Sequence, residues 1–210
     1  MRGPTFTEER AQWARGLHRI AGIDEAGRGP LAGPVVAAAI MLPLKFRRDW
    51  LSQVADSKLL TASRRDYLYG RLTVAAVSFG VGVIDSRTID VVGIAKATRL
   101  AMKTAVRQLQ PTPEFLLIDY FKLPEVRLPQ KGVVDGDSLC ISIACASIIA
   151  KVTRDRLMVD FDRTYPGYGF ANHKGYGTAQ HLECLRRLGA CPIHRRSFQP
   201  VKDVCGRDGL

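Results

Sequence analysis

The chain has 210 residues, of which 46% are hydrophobic and 24% are charged, a balance typical of a globular protein with a sizeable core. No apolar run reaches the roughly 18 residues that a membrane-spanning helix needs, and residues 1–19 lack the apolar segment of a secretory signal. The net charge of +11 indicates a polyanionic partner, for which nucleic acid is the leading candidate. On charge alone, a basic protein without such a partner remains the alternative.

Five cysteines occur without any C-x-x-C pair: Cys140, Cys145, Cys184, Cys191 and Cys205. Because an odd number cannot pair completely within one chain, we expect free thiols that pack as small core residues in a reducing cytoplasm. The sequence contains no internal repeat, low-complexity tract or flexible linker. We therefore expect a single domain over residues 1–210.

Hydrophobic patterning and turn residues divide the chain into alternating elements. The pattern predicts helices over 5–16, 62–72 (capped by Ser63), 87–109, 141–161 and 178–188. It predicts strands over 18–23, 35–42, 74–84 and 115–119, with a further short strand at Val133 and Val134. A glycine- and aromatic-rich loop covers 165–177, and the tail is predicted to be irregular. Early strands with interleaved, later dominant helices indicate the α/β class, a sheet flanked by helices.

Three apolar segments end in carboxylates: I-A-G-I-D-E at 20–25, F-L-L-I-D at 115–119 and K-G-V-V-D-G-D at 131–137. Functional groups of α/β sheets gather at strand ends, so we expect these acids to converge in one crevice. The candidates are Asp24, Glu25, Asp119 and Asp137. Neighbouring strand residues face opposite ways, so we expect a turn near Gly27 to bring Glu25 round to Asp24.

Several carboxylates packed together repel one another unless a cation is present. Oxygen ligands suit Mg²⁺ or Mn²⁺, and two such ions would offset four carboxylates. A pair of divalent ions also suits in-line hydrolysis of a phosphodiester. Taken singly, each acid is better explained as a cap of a turn or helix. Together, in a basic chain, the four acids predict a metal-dependent nuclease.

The G-R-G sequence at 27–29 lacks the G-K-[ST] ending of a phosphate loop and the full spacing of a dinucleotide fold. Alone it predicts a turn. Glycine nevertheless lets the backbone approach a ligand closely, and such contacts can read the 2′-hydroxyl that distinguishes RNA from DNA.

The segment G-I-D-E-A-G-R-G-P-L-A-G-P-V-V-A-A-A at 22–39 resembles the opening signature of the ribonuclease HII family. Four further motifs follow in the family's order: D-S-K at 56–58, L-L-I-D at 116–119, G-D-S-L-C-I-S-I-A-C-A-S-I-I-A-K-V-T-R-D at 136–155 and H-K-G-Y-G-T at 173–178. The resemblance covers roughly residues 18–200. It implies a ribonuclease H-like fold, a central mixed β-sheet flanked by helices with a helical C-terminal part.

The resemblance also implies an activity and assigns residues to it. The activity is metal-dependent cleavage of the RNA strand of RNA–DNA hybrids, and cleavage 5′ of single ribonucleotides in duplex DNA, leaving 5′-phosphate and 3′-hydroxyl ends. The family's four metal-binding carboxylates fall on Asp24, Glu25, Asp119 and Asp137. Its substrate-binding residues fall on Gly27, Arg28, Gly29, Ser57, Lys58 and Tyr176. In these roles the glycine loop grips the ribonucleotide, Ser57 and Lys58 contact a phosphate, and the Tyr176 ring packs on the following deoxyribose.

Departures from the family pattern are small. Cys140 and Cys145 replace Ser or Ala and should be packing variants. Ribonuclease HIII shares several motifs but carries an extra N-terminal domain, whereas only about 17 residues precede the first predicted strand. We expect a monomer. A sliding clamp stays open as a partner, although V-K-D-V-C-G-R-D-G-L at 201–210 has no aromatic pair to support it.

The remaining candidates have structural explanations beside the functional ones. The predicted 87–109 helix carries a basic stripe of Lys96, Arg99, Lys103 and Arg107. This stripe could follow the phosphates of a nucleic acid, but we favour a solvated helix face. We expect Tyr165, Tyr168 and Phe170 to pack their loop against the core, and His194 to lie at the surface. His173 and His181 lack partners at zinc spacing. The rival function is a non-catalytic, basic nucleic-acid-binding protein whose acids are caps or structural ligands.

Overall fold

The computed structural model describes residues 3–44 and 46–207. Its described part contains one five-stranded sheet in the order β3-β2-β1-β4-β5. The strands are β1 (Ile20–Ala26), β2 (Val35–Met41), β3 (Ser78–Ile84), β4 (Phe115–Asp119) and β5 (Gln130–Val133). β1 pairs antiparallel with β2 and parallel with β4, and β5 is parallel to β4, so the sheet is mixed, as predicted.

Helices surround this sheet and dominate the second half of the described chain. They are α1 (Thr7–Trp13), α2 (Ala62–Ala75), α3 (Ser86–Val92), α4 (Ile94–Arg107), α5 (Gly136–Leu139), α6 (Ile141–Thr164), α7 (Phe170–His173), α8 (Ala179–Leu188) and α9 (Val201–Arg207). A short 3₁₀ helix covers Asp49–Gln53. Within residues 3–44 and 46–207, no helix is long and apolar enough to cross a membrane.

The central strands are buried on both faces because a long helix covers each side. Ala37 and Ala39 of β2 pack with Ala101 of α4, whereas Ala38 of β2 packs with Ile148 of α6. Strand side chains alternate between faces, so one apolar strand serves both layers. Gly22 lets α6 approach β1, since a β-carbon there would overlap the backbone of Ser142. This contact sets α6, and the residues just before it, against the strand that carries Asp24.

Several predicted boundaries are wrong, and local backbone chemistry explains two of them. The 87–109 helix is divided at Gly93, whose φ of 79° ends α3 before α4 begins. The 74–84 strand begins only at Ser78, because α2 continues to Ala75. Thr61, not Ser63, caps α2, and its hydroxyl accepts a hydrogen bond from the Arg64 N–H at 3.3 Å.

Other differences lie nearer the candidate site. β1 starts two residues later than predicted and runs through Asp24 and Glu25 to Ala26. Asp137, predicted to follow the end of a strand, lies in the separate one-turn helix α5, which ends before α6 begins. The 165–177 loop contains α7, and the tail predicted to be irregular forms α9. Residues 208–210 of that tail lie outside the described residues.

Candidate active site

Three carboxylates meet where β1 and β4 end. Asp24 and Glu25 lie near the C-terminal end of β1, and Asp119 is the last residue of β4. The two strands are parallel, and Ile23 pairs with Ile118, so Asp24 and Asp119 leave the sheet side by side. One carboxylate oxygen from each of the three acids lies within 4.8 Å of the others. The expected turn at Gly27 does not cause this, because β1 continues through Ala26.

Asp137 lies beside this group, and among the described residues it is not one of the three acids that meet within 4.8 Å. Its carboxylate is mostly buried in the first turn of α5, and its Oδ2 atom lies 3.4 Å from Lys58 Nζ. Its charge contributes to the raised pKa of Asp119. The Asp119 Oδ1 atom accepts a hydrogen bond of 2.8 Å from the Gly136 N–H. β4 is thereby joined directly to the helix that carries Asp137.

Burial raises the pKa of all four carboxyl groups. The pKa of Asp24 lies well above its usual range because of burial first, and then because of the charges of Glu25 and Asp119. Burial raises the pKa of Glu25 to about 7, although the Arg28 guanidinium opposes the shift. Asp137 has a pKa raised by burial and by the charge of Asp56. Without a compensating cation, these carboxyl groups therefore take up protons at a higher pH than they would in water.

The donor atoms fit a divalent cation. Glu25 Oε2 is buried and, within the part of the chain that the structure describes, has no hydrogen-bond partner. A buried carboxylate oxygen without a partner is costly, and a cation would compensate it. Carboxylate oxygens are also the ligands that Mg²⁺ and Mn²⁺ prefer.

The 27–29 loop directly follows these acids. Gly27 has φ of +93°, and a β-carbon there would overlap the Arg154 side chain. A β-carbon on Gly29 would meet nothing within 4 Å, so this backbone borders open space. The Arg28 guanidinium lies 3.4 Å from Glu25 Oε1 and 4.8 Å from the centre of the Phe121 ring. Arg28 thus bridges Glu25 and the Phe121 ring.

Two fully buried arginines hold the segment 27–34 between β1 and β2, and the sequence reasoning missed both. Arg195 donates to the carbonyls of Gly27, Arg28 and Gly33. Arg154 donates to the carbonyls of Ala32, Pro34 and Lys174. Arg154 lies in K-V-T-R-D at 151–155 and Arg195 in H-R-R at 194–196, and neither polar surrounding signals burial. Their acceptors are backbone carbonyls, which a residue pattern does not reveal.

The other predicted substrate residues differ in exposure. The Ser57 residue is 3% exposed, and its hydroxyl lies 2.8 Å from the Ser147 hydroxyl, inside the protein. The Lys58 side chain is 78% exposed, with Nζ beside Asp137. Tyr176 is 44% exposed, and its ring lies 5.9 Å from the Arg154 guanidinium carbon.

Residues outside the acid cluster give mixed outcomes. Tyr168 and Phe170 are buried, as the packing prediction required, and Tyr165 packs against them. His194 is 2% exposed, so the prediction that it lies at the surface is wrong.

All five cysteines are free thiols, and Cys140 and Cys145 are buried. In the basic stripe on α4, Lys96 and Arg107 are exposed, while Arg99 and Lys103 are partly buried.

A mixed sheet flanked by helices, with carboxylates clustered at the ends of its two central parallel strands, defines a nuclease of the ribonuclease H-like class. The family model for ribonuclease HII matches residues 21–201, and the chain belongs to this family. It is therefore a ribonuclease H endonuclease.

Individual relatives agree with this assignment. A ribonuclease HII from Dehalococcoides mccartyi is 59% identical, covering 96% of this chain and 95% of the relative. The crystal structure of ribonuclease H2 from Pyrococcus horikoshii OT3 matches with a TM-score of 0.75 at 25% identity, over 90% of this chain and 98% of that one. A Bst ribonuclease HIII solved with Mn²⁺ shares the fold, with a TM-score of 0.68 at 19% identity, over 90% of this chain and 70% of that one. The predicted resemblance and fold class are thereby confirmed.

Proposed function

We propose that this protein hydrolyses the RNA strand of RNA–DNA hybrids and cleaves 5′ of single ribonucleotides embedded in duplex DNA, leaving 5′-phosphate and 3′-hydroxyl ends. The observation that carries the proposal is the meeting of Asp24, Glu25 and Asp119 within 4.8 Å, next to the 27–29 loop. Membership of the ribonuclease HII family supports the reaction class. The net charge of +11 supports a nucleic-acid substrate.

The four acids would hold Mg²⁺ or Mn²⁺, with Asp24, Glu25 and Asp119 as the closest group and Asp137 completing the set. When bound, such ions supply an activated water for in-line attack and stabilise the departing 3′ oxygen. Lys58 holds the Asp137 carboxylate from the exposed side, and Arg28 holds Glu25. These two cations keep the acids in place and present positive charge to an approaching phosphate.

Selectivity would come from the loops around the acids. The backbone at Gly29 borders open space, so a ribose with its 2′-hydroxyl can approach the 27–29 loop closely. The exposed Tyr176 ring would pack on the next sugar, where a deoxyribose fits and a 2′-hydroxyl crowds the ring. Because the Ser57 hydroxyl is bonded inside the protein, we assign the phosphate contact to Lys58 and the support of its loop to Ser57.

Cleavage assays on three matched duplexes test the proposal: DNA with one ribonucleotide, an RNA–DNA hybrid and DNA alone. We expect cuts in the first two with Mg²⁺ or Mn²⁺ and none with EDTA, and end mapping should find 5′-phosphates. Asp24→Asn should abolish cleavage while leaving the fold and duplex binding intact. Binding without metal-dependent cleavage would instead support the non-catalytic rival, and near-native activity of a folded Asp24→Asn protein would remove that residue's role.

We further propose that residues 1–210 act as one catalytic domain, as a monomer, in the cytoplasm. Light scattering coupled to size-exclusion chromatography, at several protein concentrations, tests the monomer. A concentration-dependent rise in mass towards twice that of the chain would contradict it. Adding a sliding clamp to the same experiment tests for co-elution, for which the tail offers no aromatic pair.

A further inference from the structure

Tyr176 lies on the loop between α7 and α8, and hydrogen bonds hold its backbone on both sides. Its N–H donates to the His173 carbonyl at 2.9 Å. Its carbonyl oxygen accepts one hydrogen bond from the Thr178 N–H at 2.8 Å and a second from His181 Nδ1 at 2.9 Å. The main chain that carries the exposed ring is therefore held on both sides.

A chain of hydrogen bonds extends inward from that carbonyl. The Cys191 N–H donates to His194 Nδ1 at 3.0 Å, and His194 Nε2 lies 3.1 Å from His181 Nε2. A peptide N–H can only donate and a carbonyl can only accept, so both tautomers follow. His194 carries its proton on Nε2 and donates to His181, which carries its proton on Nδ1 and donates to Tyr176. We call this chain, from Cys191 through His194 and His181 to the Tyr176 carbonyl, the histidine relay.

The surroundings of the histidine relay keep it neutral. His181 is buried and stacks on His173 with ring centres 4.4 Å apart, and the Phe170 ring meets it edge-on. Burial and the neighbouring His181 lower the pKa of His194 to about 4, and burial lowers the pKa of His181. Protonation of His181 on Nε2 would place its N–H against the N–H of His194 and break the hydrogen bond between the two rings. The relay thus has one hydrogen-bond direction at neutral pH.

We propose that His181 and His194 are positioning residues that hold Tyr176, through its carbonyl oxygen, where its ring can check the sugar beyond the scissile bond. This inference rests on the proposed function, in which Tyr176 packs on the deoxyribose at the junction. The histidines touch no substrate. Their effect passes through one hydrogen bond, and its loss would leave the Tyr176 carbonyl with one donor fewer.

Two variants at one position separate the hydrogen bond from the packing. His181→Phe keeps a ring against His173 but removes the donor, and should lower kcat/KM for an embedded ribonucleotide by about tenfold. His181→Asn keeps a donor near the place of Nδ1 and should lose clearly less. Cleavage of the RNA–DNA hybrid should fall less than junction cleavage in both variants. His18→Phe, at an exposed histidine before the opposite end of β1, is the matched control.

Two further measurements decide the outcome. In a Tyr176→Ala background, His181→Phe should cause no further loss of junction cleavage; an equal loss in both backgrounds would overturn the inference, because the histidine would then act on the fold. Nitrogen NMR of the wild-type imidazoles should find His181 protonated on Nδ1 and His194 on Nε2, and the opposite tautomers would overturn the relay even in an active enzyme. If the tautomers are as expected but Tyr176→Ala cleaves junctions as well as wild type, the result overturns the sugar-checking role in the proposed function and not the histidine relay.

Discussion

At the scale of one residue, the burial of Glu25 favours metal binding but lowers the stability of the metal-free protein. Burial raises its pKa to about 7, and its Oε2 atom has no hydrogen-bond partner among the described residues. The folded, metal-free protein therefore holds a proton on Glu25 between about pH 4.5 and 7 that the unfolded chain releases. Because the folded state binds more protons in this window, its free energy of unfolding falls as the pH rises. A bound cation would offset the cost of burying the ionised Glu25 carboxylate. The same burial that favours metal binding therefore lowers the stability of the metal-free fold.

Glu25→Gln should therefore stabilise the metal-free protein at pH 8 by up to about 3 kcal/mol relative to pH 4.5, because glutamine cannot ionise. Urea unfolding in EDTA at the two pH values measures the difference. Glu125→Gln, at an exposed acid, is the matched control and should change little at either pH. A stabilisation by Glu25→Gln that is the same at both pH values would mean that packing, not charge, is responsible.

At the scale of elements, the loop after β1 depends on close backbone contacts and on buried arginines. Gly27 has a positive φ and no room for a side chain, whereas Gly29, two residues later, has open space beside it. Arg195 connects this loop to the segment after α8 through the carbonyls of Gly27, Arg28 and Gly33. The loop is consequently rigid where it meets the protein and open where a ligand can reach it.

Alanine at the two glycines should separate these roles. Gly27→Ala should destabilise the fold by roughly 2 kcal/mol or more, because the positive φ is strained and the β-carbon overlaps Arg154. Gly29→Ala should change stability by less than about 0.5 kcal/mol and yet lower kcat/KM on an embedded ribonucleotide, because the methyl group enters the open space. Thermal unfolding and cleavage of both variants test this. Full activity of Gly29→Ala would show that no ligand approaches that backbone.

Arg195→Lys should destabilise the protein by about 2 to 4 kcal/mol, because an ammonium group cannot reach the three carbonyls that the guanidinium serves. Arg196→Lys changes the next residue, which is exposed, and should stay within about 0.5 kcal/mol of wild type. Urea unfolding compares the two variants. Equal small effects would contradict the role given to the buried arginine.

At the scale of the whole molecule, the chain carries a net charge of +11 although its candidate site is a small cluster of acids. Such a field attracts a polyanion, while the acids require a cation before they tolerate a phosphate beside them. Binding of the nucleic acid thus depends on the positive charges of the protein, whereas the chemistry depends on the negative charges of the acids. The salt dependence of binding reports how many basic residues meet phosphates.

We expect the stripe on α4 to be a solvated face rather than a phosphate track. In the Asp24→Asn protein with EDTA, Lys96→Gln combined with Arg107→Gln should leave the slope of log affinity against log salt unchanged. Lys58→Gln, at the proposed phosphate contact, should reduce that slope by about 0.9. Fluorescence anisotropy with a ribonucleotide-containing duplex measures both slopes. A reduced slope for the stripe variant would identify α4 as part of the nucleic-acid surface.

Local patterning predicted most elements but few of their ends. The strands around Ile23 and Leu117 and the helix around Ile148 were evident as apolar runs. The break at Gly93 was missed because a glycine inside an amphipathic pattern is often tolerated, and only its positive φ divides the helix. The helix α9 was missed although Val201, Val204 and Cys205 follow the i, i+3, i+4 spacing of a helix, because seven residues are too few for that period to stand out.

The sequence by itself determined the class of fold and the family, because hydrophobic period and long motifs are properties of the chain order. It also predicted Asp24, Glu25, Asp119 and Asp137 as candidate metal ligands from their places at strand ends. Only the tertiary structure decided which three acids lie closest, that Arg154 and Arg195 hold the loops, and that His194 is buried in a hydrogen-bond chain to Tyr176. The physical reason is that these contacts join distant segments through backbone carbonyls and ring nitrogens. Their partners are set by packing in three dimensions and leave no period along the chain.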